Sequence, residues 1–209
     1  MSSLKVYCDE MNKLKVRQVM MHRFIELARL ESPEHLMVSA EVICLQLRLI
    51  LEHIAFASLA ANRAAYAEAR ASYAQDYHAK KILGAIAQLN PDFYPRPVTQ
   101  EQNPDGGTYL VNVDDGFLTR SQFETAYDRC GSMLHARNPF RDPPDYVRLI
   151  DDAERWVKLV TRLLDKHIVH IVGLKGFVLV GMNPHDHSAE AFTLVPADGG
   201  DFIDTHAKR

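Results

Sequence analysis

Residues 32–61 read SPEHLMVSAEVICLQLRLILEHIAFASLAA, and this stretch decides the fold. Ser32-Pro33-Glu34 is a helix start: the serine hydroxyl suits the N-cap, and proline at the first helical position lacks only an N–H that would have no partner there. From Val42 through Ile43, Leu45, Leu47, Leu49, Ile50, Leu51, Ile54 and Phe56 the segment is apolar nearly all round. A helix of that kind must be covered on every side, so it belongs at the centre of a bundle. The chain is therefore expected to be mainly α, a compact bundle of about five helices.

Four further segments supply the rest of the bundle. Between Glu10 and Leu30, the residues Leu14, Val16, Val19, Met20, Phe24, Leu27 and Ala28 recur at helical spacing among lysines and arginines. Arg63 to Leu89, rich in Ala, Glu, Lys and Arg, predicts a third helix that stops at Asn90-Pro91. Ser121-Gln122-Phe123-Glu124 has the capping-box spacing and opens a fourth helix running to about His135. Ile150, Ala153, Val157, Val160, Leu164, Ile168 and Ile171 form one apolar stripe, which predicts a fifth helix closed by Gly173.

Strands are expected only where alternation replaces the helical period. Residues 174–182 and 189–196 are β-rich and flank the turn-forming Asn183-Pro184-His185-Asp186-His187-Ser188, which predicts a C-terminal β-hairpin over 174–196. Thr108 to Val113 adds a candidate third strand, closed by Asp114-Asp115-Gly116. Residues 91–107 read as a proline- and glycine-rich loop, and the segment from Asp198 onward as a frayed end.

Length and composition point to one domain over 1–209, with the helical bundle at 10–171, because an apolar fraction of 47% in 209 residues is enough for a continuous core. A net charge of -3 gives no global attraction for a polyanion. Cys8, Cys44 and Cys130 are odd in number and far apart, without a CxxC pair, so neither a disulfide framework nor a thiolate metal site is indicated. No unbroken apolar run of the roughly 18 residues needed for a membrane span occurs, and no signal peptide is legible. The expected setting is the cytoplasm, without a membrane partner and without a cofactor.

Two segments place an arginine shortly before a histidine: Arg48-Leu-Ile-Leu-Glu-His53 and Arg129-Cys-Gly-Ser-Met-Leu-His135. On this Arg-x(4–6)-His spacing and the helical architecture, the chain resembles the HEPN superfamily of helical RNA-cutting toxins and phage-defence effectors. The residue after the arginine, usually polar in that family, is Leu49 or Cys130 here. The resemblance implies a metal-independent endoribonuclease, active as a homodimer and open to a regulatory protein partner. Histidine would take the proton of a ribose 2′-hydroxyl, and arginine would stabilise the charge developing on the phosphate.

Arg129 and His135 are the expected catalytic pair, with Arg137 and Arg141 placed to hold RNA. On a straight helix, six residues at about 100° each set Arg129 and His135 about 120° apart, so their meeting requires a kink at Gly131 or a second copy of the chain. Arg48 has Glu52 one turn away, so Arg48, Glu52 and His53 read either as a second site or as ion pairs and hydrogen bonds inside the bundle. The alternative function is a catalytically inert helical module that binds a protein or RNA partner.

Other polar clusters have plain structural readings. Arg155, Lys158, Arg162, Lys166 and His170 are expected to form a basic face on the fifth helix, balanced by Asp151, Asp152 and Glu154 in its first turns. His167-x-x-His170 and His185-x-His187 lack the carboxylate and histidine spacing of a catalytic metal centre, and no metal is expected.

Overall fold

The computed structural model of the chain describes residues 3–69, 75–104, 106–136, 138, 140–182 and 188–196. Among these, 59% are helical, which bears out the mainly α reading. The elements run α1 (Ser3–Ala28), α2 (Pro33–Ala61), α3 (Arg63–Ala69), α4 (Ala79–Leu89), β1 (Arg96–Gln102), β2 (Thr108–Asn112), α5 (Arg120–Met133), α6 (Tyr146–Leu164), β3 (Lys166–Val169), β4 (Phe177–Met182) and β5 (Ala189–Leu194).

Helix α2 is the centre, although it is not covered on every side: Leu45 is 41% exposed. Ile43, Cys44, Leu47, Ile50, Leu51 and Ile54 have no solvent exposure, and α1, α4, α5 and α6 pack against it. By length and a mean hydropathy of 1.7, α2 would also suit a bilayer, but half of that stretch is buried against the rest of the chain. Truncating one of these leucines or isoleucines to alanine costs about 2–5 kcal/mol in cores of this kind.

The sheet is larger than the expected hairpin. Five antiparallel strands lie in the order β2-β1-β3-β4-β5. Two of them, β1 and β3, fall where sequence reading placed a loop and a helix end. Strand β1 carries Pro97, which offers no N–H; its carbonyl accepts from Val113 N at 3.0 Å, and only Arg96 and Pro97 pair with β3. Of the 91–107 loop, residues 91–95 and the turn around Asn103 remain outside the strands, and in that turn Gly106 takes a positive φ of 82°.

Helix α6 ends at Leu164, not at Gly173. Ile168 is buried as a member of β3 and Ile171 lies just beyond that strand, so the two continued the helical stripe by coincidence of spacing. His167 closes the helix: its Nδ1 donates to the Leu164 carbonyl at 2.9 Å, and its Nε2 accepts from Tyr7 Oη at 2.7 Å. The backbone N–H of Ala189 donates to Asn12 Oδ1 at 2.7 Å, tying β5 to α1.

Three other boundaries also differ. Helix α1 starts at Ser3 rather than Glu10. The helix expected over 63–89 is two, with non-helical residues at 76–78 before α4. The cap of α5 is Thr119, not Ser121: the Thr119 hydroxyl accepts from Gln122 N at 3.3 Å while Gln122 Oε1 accepts from Thr119 N at 2.9 Å. Both frames fit the same pattern, and anchoring selects the earlier one, since buried Leu118 donates its N–H to the Leu159 carbonyl.

Candidate functional site

Helix α5 is continuous through Gly131 and ends at Met133, so His135 lies beyond it. The helical-wheel separation of Arg129 and His135 therefore does not apply, and neither does the kink. Leu134 caps the helix, with its N–H on the Gly131 carbonyl at 3.2 Å. The chain then turns at Asn138, whose Oδ1 accepts from Phe140 N at 3.0 Å and whose carbonyl accepts from Arg141 N at 3.1 Å. This turn returns Arg141 toward the helix end.

Arg129, His135 and Arg141 consequently line one groove of about 320 Å³, with Ser132, Asn138 and Leu149 completing its walls. A single chain brings the three together, so the geometric reason for invoking a second copy falls away. His135 is exposed and makes no hydrogen bond to any described residue. Arg129 is half exposed, 3.9 Å from Asp152 Oδ2, while Asp152 is held more closely by Arg155 at 2.8 Å. Arg137 lies outside the described residues.

The first Arg–His pair is built differently. Arg48 Nε donates to Glu52 Oε1 at 3.1 Å and its Nη2 donates to Tyr127 Oη at 2.7 Å. Tyr127 Oη in turn donates to Glu52 Oε1 at 3.1 Å. The guanidinium also lies 4.2 Å from the centre of the Tyr127 ring. Sequence reading anticipated the Glu52 pair; Tyr127 was hidden in the apolar stripe of α5, and no local signal marked it.

His53 is held at both nitrogens. Arg17 Nε donates to Nε2 at 3.1 Å, which makes Nε2 the acceptor and leaves the proton on Nδ1, donated to Glu10 Oε2 at 2.7 Å. Arg17 also donates to Gln46 Oε1 at 2.8 Å. Burial pushes the Glu10 carboxyl up, but hydrogen bonds from His53 and Lys13 outweigh it and hold it below its ordinary value. His53 has no nitrogen left for proton transfer and serves the α1–α2 contact, the second of the two readings its sequence position allowed.

The remaining clusters are structural as well. Arg155 and Lys158 pair with Asp152 and Glu154, and Lys166 donates to Gln100 from β3, so the expected face of five residues does not lie on one helix and three of its members have partners. His167 is fully buried with both nitrogens engaged, and His185 and His187 lie outside the described residues. Among the described residues no group of three or more His, Cys, Asp or Glu is disposed to hold a metal ion. Cys44 and Cys130 are buried and free, their thiols facing each other across the α2–α5 contact.

Comparison of the chain with family models, with curated proteins and with solved structures found no match.

Proposed function

We propose that the chain is a metal-independent endoribonuclease of the kind the HEPN resemblance implies, with its site in the groove at the end of α5. One observation carries this reading: His135, with no hydrogen-bond partner among the described residues, stands on the same groove as Arg129 and Arg141. A histidine that must exchange a proton with substrate needs a ring nitrogen the protein leaves unclaimed, and His53 and His167 offer none.

In this mechanism His135 takes the proton of a ribose 2′-hydroxyl, and the 2′-oxygen attacks the adjacent phosphorus. Arg129 and Arg141 stabilise the negative charge that builds on the phosphoryl oxygens. The bond to the 5′-oxygen breaks, and that oxygen takes a proton from water in the open groove. The products are a 2′,3′-cyclic phosphate and a 5′-hydroxyl. The natural context of such an activity is a cytoplasmic toxin or antiviral defence effector, with a homodimer and a regulatory protein partner as the family resemblance implies.

Purified protein incubated with single-stranded RNA and a chelator tests this directly. Cyclic-phosphate ends on RNA and no cut in DNA of the same sequence are expected; an intact RNA ends the proposal.

A second reading is favoured by one specific observation. The Arg48 and His53 pair fits the same Arg-x(4–6)-His pattern and is wholly engaged in packing, so the pattern arises in the chain without catalytic use. On that reading the protein is an inert helical module for a protein or RNA partner, and the same assay separates the two.

A further inference from the structure

Beside the arginine-lined groove lies a second cleft, of about 490 Å³, lined by Met37, Glu41, Met133, Leu134, His135 and Tyr146. His135 and Met133 line both, so the two clefts share a wall. Their chemistry differs. One is cationic, through Arg129 and Arg141; the other is apolar except for His135, the Tyr146 hydroxyl and the Glu41 carboxylate. Glu41 makes no hydrogen bond or ion pair with any described residue.

Resting on the ribonuclease reading, we propose that this second cleft is the base-binding subsite and that Glu41 makes it selective for guanine. A nucleotide joins a flat base to a phosphate through a ribose. With the phosphate against Arg129 and Arg141 and the base in the apolar cleft, the ribose passes over the shared wall, where His135 stands. That is where the proton acceptor for a 2′-hydroxyl is needed.

The selectivity follows from donor and acceptor patterns. An ionised carboxylate only accepts. Guanine presents two neighbouring donors on its pairing edge, N1–H and the N2 amino group, which match the two carboxylate oxygens as a charge-assisted, two-point contact. Adenine and cytosine each set one amino donor beside a ring nitrogen lone pair, which the carboxylate repels. Uracil sets its single N–H between two carbonyl oxygens. Tyr146 supplies an aromatic face for stacking, and Met37 and Met133 supply deformable apolar walls.

The test measures binding of the four nucleoside 3′-monophosphates to the full chain by calorimetry, then repeats it with Glu41→Gln. Guanosine 3′-monophosphate should bind at least about tenfold tighter than the other three, since a site built for hydrogen bonds rejects partners that leave them unmade. Glu41→Gln, which turns one acceptor into a donor, should lose that preference and favour adenosine 3′-monophosphate. Equal binding of all four by the wild-type protein, or a guanine preference that survives Glu41→Gln with the helix content unchanged, overturns the subsite. If Glu41→Gln does not fold, Tyr146→Ala takes its place, with weakened binding of the guanine nucleotide expected and unchanged binding overturning the assignment. RNA cleavage without base preference removes the subsite and leaves the ribonuclease, whereas guanine selectivity without cleavage removes the ribonuclease and leaves the subsite.

Discussion

Arg48 Nη1 lies 2.5 Å from the point where a β-carbon on residue 131 would stand, so Gly131 is the socket into which α2 inserts its guanidinium against α5. The two Arg-x-His segments of the sequence thus meet in space through an arginine of one and a glycine of the other.

Gly131→Ala should destabilise the protein by about 1–2 kcal/mol, because expelling Arg48 breaks its bonds to Glu52 and Tyr127 and outweighs the usual gain from alanine in a helix. Arg48→Ala should also destabilise, by leaving Glu52 without its cation. In an Arg48→Ala background the sign of Gly131→Ala should reverse, to a gain of about 0.5–1 kcal/mol, as the socket is then empty. Urea midpoints of the four proteins check this; simple addition of the two single costs would show that the contact is not the cause.

The α1–α2 network should appear in the acid limb of stability. The Glu10 carboxyl is held below its ordinary value by His53 and Lys13 despite burial, so its contribution is present above the unfolded value and is lost as pH falls through the folded one. Glu10→Gln should lower stability at neutral pH and flatten this part of the profile. His53→Ala should cost about 1–3 kcal/mol by removing one partner each from Arg17 and Glu10, a loss visible in thermal unfolding at pH 7.

His167 governs a higher window. Burial depresses its imidazole from the ordinary 6.5 to about 4, with the Leu164 carbonyl opposing weakly. Between those values the unfolded chain binds a proton that the folded chain refuses, so stability should fall as pH drops from 6.5 toward 4 and level off below. A shift of that size corresponds to about 3 kcal/mol. His167→Gln should remove the slope in this window, even though it costs stability at neutral pH; a slope that persists would place the titrating group elsewhere.

These residues also show what was legible in the sequence. The central helix was, because apolarity around its whole circumference has one folded solution. Strand β3 was not, since Ile168 and Ile171 stand at intervals that continue the α6 stripe and a strand buried on both faces has no alternation to betray it. Strand β1 was concealed by Pro95 and Pro97, which usually mark loops. At the groove, Arg129, His135 and Arg141 could be named, but a wheel drawn past Met133 separated residues that the end of α5 and the Asn138 turn bring to one groove. Glu41 and Tyr127 join their clusters from distant elements, and no spacing along the chain announces such partners.

The chemical prediction separates site from scaffold most sharply. If the groove cuts RNA, His135→Ala removes the proton acceptor and Arg129→Ala the charge on the phosphate, and each should lower single-stranded RNA cleavage by about 100- to 10,000-fold. Arg141→Ala should act mainly on substrate binding, raising KM more than it lowers kcat. Thermal midpoints should barely move in any of the three, because His135 and Arg141 are exposed and Arg129 has only a long contact with Asp152. Glu52→Gln and His53→Ala should show the opposite pattern, losing stability while the surviving folded protein still cleaves, since both belong to packing networks away from the groove. Activity that survives His135→Ala, or is lost only in proportion to unfolding, would assign the Arg129 and His135 spacing to the scaffold, as at Arg48 and His53, and leave the inert module as the reading of this chain.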